Sequence, residues 1–359
     1  MRARATRRLL IATLVLGAAL SASPNPGAAV GRPQATPPSS PPLEGRVRLG
    51  LFPNVTHAPA LVGSAGGWFA RALGPGATLD TFTFNAGTEA IEALFGRAID
   101  MAFLGPNPAI NGFAKSKGEA LRIVAGTTSG GARLIVKPGI RSVADLRGRT
   151  LATPSLGNTQ DVALRYWLAS QGVRTTKEGG GDVTIIPQSN ASALESFITG
   201  SIDGAWVPEP WASRMVLEGG GTVLVDEAQL WPDSGGRYVT THLVVRTEFL
   251  RDHPELVRAV LVGLADAIDA IAADPAGAQT AVAGEIERIT GKRPSDTVIA
   301  ASFENLTFTL DPIATSLRGS AEHATAVGLL EPVDLTGIYD LQLLNQILAE
   351  RGQAAVVGL

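Results

Sequence analysis

The chain has no cysteine among its 359 residues. That excludes disulfides, thiolate metal sites, a cysteine nucleophile and a lipid-anchored N-terminal cysteine. There is no basic excess either. The net charge is −3, and no basic stripe or aromatic RNA motif is present, which argues against a nucleic-acid partner. Histidine is scarce: His57, His242, His253 and His323 are scattered, with no HExxH or paired metal spacing. Gly179-Gly180-Gly181 and Gly219-Gly220-Gly221 lack the Lys-Ser/Thr of a phosphate-binding loop and read as surface turns. Ser129 lies in Thr-Thr-Ser-Gly-Gly, not in a GxSxG elbow. With no acid, base and nucleophile set, the chain does not read as an enzyme. Neither a metal nor a cofactor is expected.

Long hydrophobic runs are missing as well. The apolar stretch Leu9–Leu20 is too short to span a bilayer. It follows an arginine-rich start and precedes small residues, the pattern of a secretion signal. Residues 1–29 are therefore expected to be a signal peptide, cleaved after Ser21, Ala22 or Ala29. Residues 30–45, rich in Pro, Ser and Ala, are expected to be a disordered leader. The mature protein is expected in a periplasm or secreted.

What remains is 45% hydrophobic over the whole chain, enough for two ordinary domains. Its periodicity alternates between strand and helix. Strands are expected at Arg46–Phe52, Leu79–Phe84, Asp100–Leu104 and Leu121–Ala125, with helices at Ala58–Leu73, Glu89–Arg97 and Pro106–Ser116 between them. Thr127–Gly131 reads as a crossover. A second set follows, with strands at Thr150–Thr153, Val183–Pro187, Ala205–Val207 and Val223–Val225 and helices at Thr159–Ser170, Ala191–Thr199 and Pro210–Glu218. Tyr238–Arg246 is a long returning strand, and helices fill the rest, with no strand left to pair. The order β, α, β, α predicts an α/β protein with mostly parallel sheets.

The two sets resemble each other. Glu92–Ile110 aligns on the stretch starting at Glu195, so that Ile99 falls on Ile202, Asp100 on Asp203 and Phe103 on Trp206. Facing halves of this kind would place their strand-end loops on one crevice, where open α/β sheets bind ligands. Small polar residues occupy those loops: Asn54, Thr56, Asn107, Ser129, Asn158 and Thr159. Helix starts offer free N–H groups and a positive dipole end, so such loops suit a small anion. No Arg or Lys lies in them, which points to a monoanion held by neutral donors. Two readings stay open for Asn54, Asn158 and Thr159, as helix caps or as ligand donors. Asn107 is equally open between turn and ligand. Glu209 either meets a ligand ammonium or faces solvent, Trp211 either walls the site or does not, and His57 is the one histidine kept as a candidate. A common cavity holding Asn107 and Trp211 is expected.

The segments LGLFPNVTHAPALVG, FNAGTEAIEALFGRAIDMAFLGPNPAINGFAKSKGEALRIVAG, TPSLGNTQDVALRYWLASQG, IDGAWVPEPWASR and YVTTHLVVRTEFL resemble the nitrate/sulfonate/taurine-type substrate-binding proteins of ABC importers. The resemblance covers Arg46 to Arg351. It implies a type II periplasmic-binding-protein fold, with residues 46–128 and 238–359 in one lobe and 129–237 in the other, joined by crossovers near Ser129 and Tyr238. It implies ligand loops at Asn54–His57, Gly105–Asn107, Ser129-Gly130, Gly157–Gln160 (with Asn158 and Thr159) and Glu209–Trp211. It further implies a monomer that hands a small-molecule anion to a permease served by a separate ATPase subunit. An aliphatic sulfonate such as taurine or an alkanesulfonate is the first expectation, with Glu209 favouring an aminosulfonate. Nitrate, another small organic anion or a pyrimidine precursor is the alternative, and an enzyme using the same cleft is the remaining one. The cysteine-rich iron motif of the branch that makes the thiamine pyrimidine is missing.

Overall fold

The computed structural model describes residues 43–359. The expected signal peptide and the leader up to residue 42 lie outside them. Gly45, expected to end the leader, instead pairs in the first strand.

The chain begins with β1 (Gly45–Leu51), a 3-10 turn (Val55–His57), α1 (Ala58–Ala65) and α2 (Trp68–Leu73). One helix was expected over α1 and α2. It breaks because Gly67 takes φ +67, a left-handed conformation that costs a glycine little. Next come β2 (Ala77–Thr83), α3 (Gly87–Phe95), β3 (Met101–Leu104), α4 (Pro106–Lys115) and β4 (Leu121–Gly130). The expected crossover at Thr127 is thus the second half of β4. The second set holds β5 (Ala132–Val136), β6 (Thr150–Thr153), α5 (Thr159–Ser170), β7 (Thr184–Pro187), α6 (Asn190–Thr199), β8 (Gly204–Pro208), α7 (Trp211–Leu217) and β9 (Thr222–Asp226). Sequence periodicity missed β5. The return is β10 (Val239–Arg246), followed by α8 (Thr247–Asp252), α9 (Pro254–Ala273), α10 (Pro275–Thr290), α11 (Asp296–Glu304), β11 (Leu306–Phe308), α12 (Ala314–Ala326) and α13 (Gln342–Glu350). The three-residue β11 corrects the expectation that no strand remained: it pairs with the far end of β4.

Two sheets result. The first runs β11-β4-β10-β3-β1-β2 and the second β7-β6-β8-β5-β9. In each, three parallel strands lie beside one antiparallel strand supplied by the connection between sheets. That strand is β10 in the first sheet and β5 in the second. The orders 2-1-3-10-4 and 7-6-8-5-9 are therefore the same order twice. The sequence repeat is real at this level, since β3 and β8 hold the same place.

Both faces of each sheet are covered, and the central parallel strands β3 and β8 are buried along their whole length, whereas the edge strand β2 carries Asp80 and three threonines. On the first sheet, one core joins Val47, Leu49 and Leu51 to Leu61, Phe69, Val260, Leu264, Val282 and Leu344 of α1, α2, α9, α10 and α13. The other face packs on α3, α4 and α12 through Ile91, Leu94, Ile110 and Leu317. On the second sheet, α5 covers one face through Leu164 and Leu168, and α6 and α7 cover the other through Phe197 and Met215. Among the described residues, no helix is long and apolar enough to cross a membrane.

Candidate functional site

The carboxyl ends of β1, β2 and β3 meet those of β6, β7 and β8 across a seam. The loops leaving them enclose a small cavity. The space open to the centre of a water molecule is about 40 Å³. One water needs roughly 10–15 Å³ by that measure, so the cavity suits a compact solute.

The first-lobe wall is built from helix starts that have no side-chain cap. Asn54 precedes the 3-10 turn, Ala86 precedes α3 and Gly105 precedes α4, and none of the three side chains bonds the turn that follows it. Ala86 and Gly105 have no polar side chain to do so. The N–H groups of a helix's first turn lack intrahelical partners, so these turns offer donors and positive dipole ends. One donor is already used: the Thr56 N–H reaches the Glu209 carbonyl of the other lobe at 3.4 Å. Thr241 donates its hydroxyl to the Thr56 carbonyl at 3.1 Å and fixes this loop from beneath.

His57 ends the 3-10 turn. Its Nδ1 accepts the Phe52 N–H at 3.3 Å, and its ring stacks on Phe52 with centroids 4.5 Å apart. Burial pushes its pKa down to about 3. The ring is therefore neutral, and with Nδ1 acting as acceptor its proton sits on Nε2. His57 is a neutral donor in a lining position.

The second-lobe wall is made of amides. Asn158 caps α5, its Oδ1 accepting the Asp161 N–H at 3.0 Å. Its Nδ2 donates to Gln160 Oε1 at 3.2 Å. The carboxylate of Asp161 is turned inward, onto the Thr153 hydroxyl, the Gly157 N–H and the Arg165 guanidinium, the last at 3.0 Å. Its charge is thereby neutralised behind the wall. Asn190, at the start of α6, is also buried, and its Oδ1 has no partner among the described residues.

Among the described residues, every charged side chain stays out of the lining, and the one titratable group there, His57, is neutral. Neutral donors and dipole ends then set the potential. Such a wall favours one negative charge and gives a cation nothing to pair with. No group of acidic or histidine side chains among the described residues is placed to hold a metal.

Comparison with known proteins identifies the architecture. The model of the NMT1-like family matches residues 40–285, more than half of the chain. The chain belongs to that family. Among curated relatives, the taurine-binding periplasmic protein of Escherichia coli is 29% identical over 60% of this chain, and the match spans 64% of the relative's length. The fold is that of periplasmic binding proteins. The alkanesulfonate-binding protein SsuA from Xanthomonas axonopodis, solved with MOPS bound, superposes with TM-score 0.66 at 21% identity, covering 82% of this chain and 96% of its own. The periplasmic nitrate-binding protein NrtA from Synechocystis superposes with TM-score 0.72 at 17% identity, covering 85% of this chain and 88% of its own.

Within this NMT1-like chain, seven of the expected residues line the cavity: Asn54, Thr56, His57, Gly105, Asn158, Thr159 and Gln160. The other six lie outside the lining, each for a visible reason. Asn107 turns to α12 and donates to the Ser320 carbonyl at 3.1 Å. Ser129 and Gly130 pair with β11 as the chain leaves the first sheet. Gly157 gives its N–H to Asp161 and accepts the Asn111 side-chain N–H at its carbonyl. Trp211 gives its indole N–H to Asn54 Oδ1 at 2.8 Å and stands behind it. Glu209 meets neither a ligand nor solvent. It is fully buried at the seam, accepting from Ser213, Ser302 and Asn305 at 2.8–3.2 Å. Burial raises its pKa, against the pull of those donors. The expected common cavity with Asn107 and Trp211 on its walls is thus corrected.

Sequence reasoning missed Phe52, Asn85, Asn190, Thr240 and Thr241. Asn190 is the first residue of α6, just after its cap Ser189, and the helix-start argument applied to Thr159 would have found it. Thr240 and Thr241 form a polar pair in the buried strand β10, a signal that went unread.

Proposed function

We propose that this chain is the exported solute-binding component of an ABC importer and captures a small monoanionic oxyanion, an alkanesulfonate first, between its lobes. One observation carries the reading: the cavity lining combines uncapped helix starts with amide and imidazole donors and has no ionised side chain among the described residues. A sulfonate spreads one charge over three oxygens, which many weak, neutral donors match better than a single guanidinium fork. The taurine- and alkanesulfonate-binding relatives support the same class. The case for an aminosulfonate weakens, because Glu209 is spent on the seam and leaves an ammonium without a counter-charge. Ligand touching both lobes favours the closed form by its differential affinity. The closed monomer then delivers its cargo to a membrane permease driven by a separate ATPase.

A second reading, nitrate or bicarbonate, draws on the small cavity volume and on the nitrate-binding structural neighbour. A thermal-shift panel separates the two. Alkanesulfonates raising the melting temperature more than nitrate, bicarbonate or taurine supports the first reading. Stabilisation only by aromatic carboxylates or pyrimidines overturns both.

A further inference from the structure

An amide oxygen facing the cavity is a hazard to an anion, and the protein occupies those of Asn54, Asn158 and Gln160, leaving Asn190 Oδ1 without a partner among the described residues. Asn158 Oδ1 is taken by the Asp161 N–H, and Gln160 Oε1 by Asn158 Nδ2. Asn54 is the instructive case. It stands before a helical turn as Asn158 does, yet its Oδ1 caps nothing in its own lobe. That oxygen instead receives the indole N–H of Trp211 from the other lobe at 2.8 Å. A tryptophan Nε1 only donates, so the atom facing it is the amide oxygen, and the orientation of Asn54 follows. The Asn54 –NH2 is then the free end of a side chain that is 6% exposed and lines the cavity. The guanidinium of Arg214 lies 5.0 Å from the Trp211 ring and is itself held by Glu218, which fixes the ring in place.

We propose that Trp211 is a positioning residue for anion selectivity: on lobe closure its N–H captures the Asn54 oxygen, so that Asn54 presents only its –NH2 to the solute. The site becomes anion-selective as it shuts. In the open form the amide of Asn54 turns freely and offers an oxygen as readily as a nitrogen. Closure and donor orientation are one event, so a bound anion and the Trp211 bond stabilise each other. The inference rests on the oxyanion reading given above.

The test is a double-mutant cycle read by calorimetric titration with ethanesulfonate and nitrate. Trp211→Phe keeps the ring over which Arg214 sits and deletes the N–H. It is expected to weaken binding by about tenfold to a hundredfold, since it leaves a buried amide oxygen unpaired beside an anion. In an Asn54→Leu background the same change should cost nothing further. The indole N–H of Trp211, followed by NMR, should become protected from exchange on addition of either anion. The melting temperature of the ligand-free protein should not move with Trp211→Phe. An equal loss in both backgrounds, or no loss in either, overturns the positioning role while leaving the oxyanion reading intact. A wild-type protein that binds neither anion overturns the reading and this inference together.

Discussion

The two lobes repeat one plan and differ at opposite ends of it. At the base of each sheet an aspartate precedes the third parallel strand and clasps the first. Asp100 gives its N–H to the Arg48 carbonyl at 2.8 Å and accepts the Arg48 N–H at 2.9 Å. Asp203 does the same with Thr150, at 2.8 and 2.9 Å. Their charge partners differ. The Asp100 side chain is 2% exposed and held by both Arg48 and Arg246, whereas that of Asp203 is 28% exposed and held by Arg149 alone. Burial pushes the Asp100 carboxyl upward, but the arginine hydrogen bonds outweigh it and hold its pKa below the usual value.

At the other end, where the strands point at the cavity, the first lobe leaves its helix starts uncapped, while α5 and α6 of the second are capped by Asn158 and Ser189. One rim leaves its backbone donors without side-chain caps, and the other satisfies its own and carries amides. A duplicated scaffold can thus hold its base constant while its rims divide the labour.

Six substitutions, grouped in four tests, break or sharpen this contrast. Gly105 belongs to the first rim, and a Cβ there would stand 2.5 Å from Thr159 Oγ1 of the second. Its φ of −72 suits any residue, so Gly105→Val props the cleft without straining the fold. Solute affinity should fall by about a hundredfold or more as the closed state becomes rare. An unchanged affinity would mean that closure is not needed for capture.

The bases come next. Asp100→Ala removes a buried carboxylate that pairs two partly buried arginines and should cost about 3–5 kcal/mol in denaturant unfolding. Asp203→Ala, at a partly exposed pair, should cost about 1 kcal/mol. Equal losses would show that the two clasps are energetically alike despite their different depths.

At the rims, Asn158→Leu should abolish ligand-induced stabilisation and Asn54→Leu should reduce it. Only the first should also destabilise the ligand-free protein, by about 1 kcal/mol, because only Asn158 caps a helix. Equal melting temperatures for the two ligand-free variants would contradict that division.

The last test concerns Glu227, which is fully buried, accepts the Trp206 indole N–H at Oε2 and has no partner for Oε1 among the described residues. Burial pushes its pKa from 4.5 up to about 8. The folded state thus keeps a proton that the unfolded chain has released. The associated stability is full below the unfolded value near 4.5 and is lost as pH rises through about 8. Glu227→Gln removes this dependence, so its melting temperature should gain on the wild type from pH 6 to pH 9. Parallel profiles would refute a protonated Glu227.

Much of the scaffold was legible because it is periodic. The strand–helix alternation, the aligned Asp100 and Asp203 and the capping residue Asn158 all leave local signals. The strand β5 left none, since Ala132–Val136 is a short apolar run hidden next to glycines, and only its pairing with β8 and β9 makes it a strand. The helix starts near Asn54, Gly105 and Asn158 pointed at the cavity because strand ends in such sheets converge. Side-chain direction was not legible. Asn107 lies in the right loop yet turns to Ser320, a residue far away in sequence, and Glu209 is captured by α11 and Asn305 from the far side of the seam. Such choices are settled by tertiary partners that no local pattern announces.

The most direct test of neutral capture is calorimetric titration of the wild type with ethanesulfonate at pH 7.5, in two sulfonate-free buffers of different ionisation enthalpy. A wall of helix starts, amides and neutral His57 predicts binding with the same enthalpy in both buffers, that is, with no proton taken up. Uptake of a proton with each bound anion, or no binding at all, would contradict it.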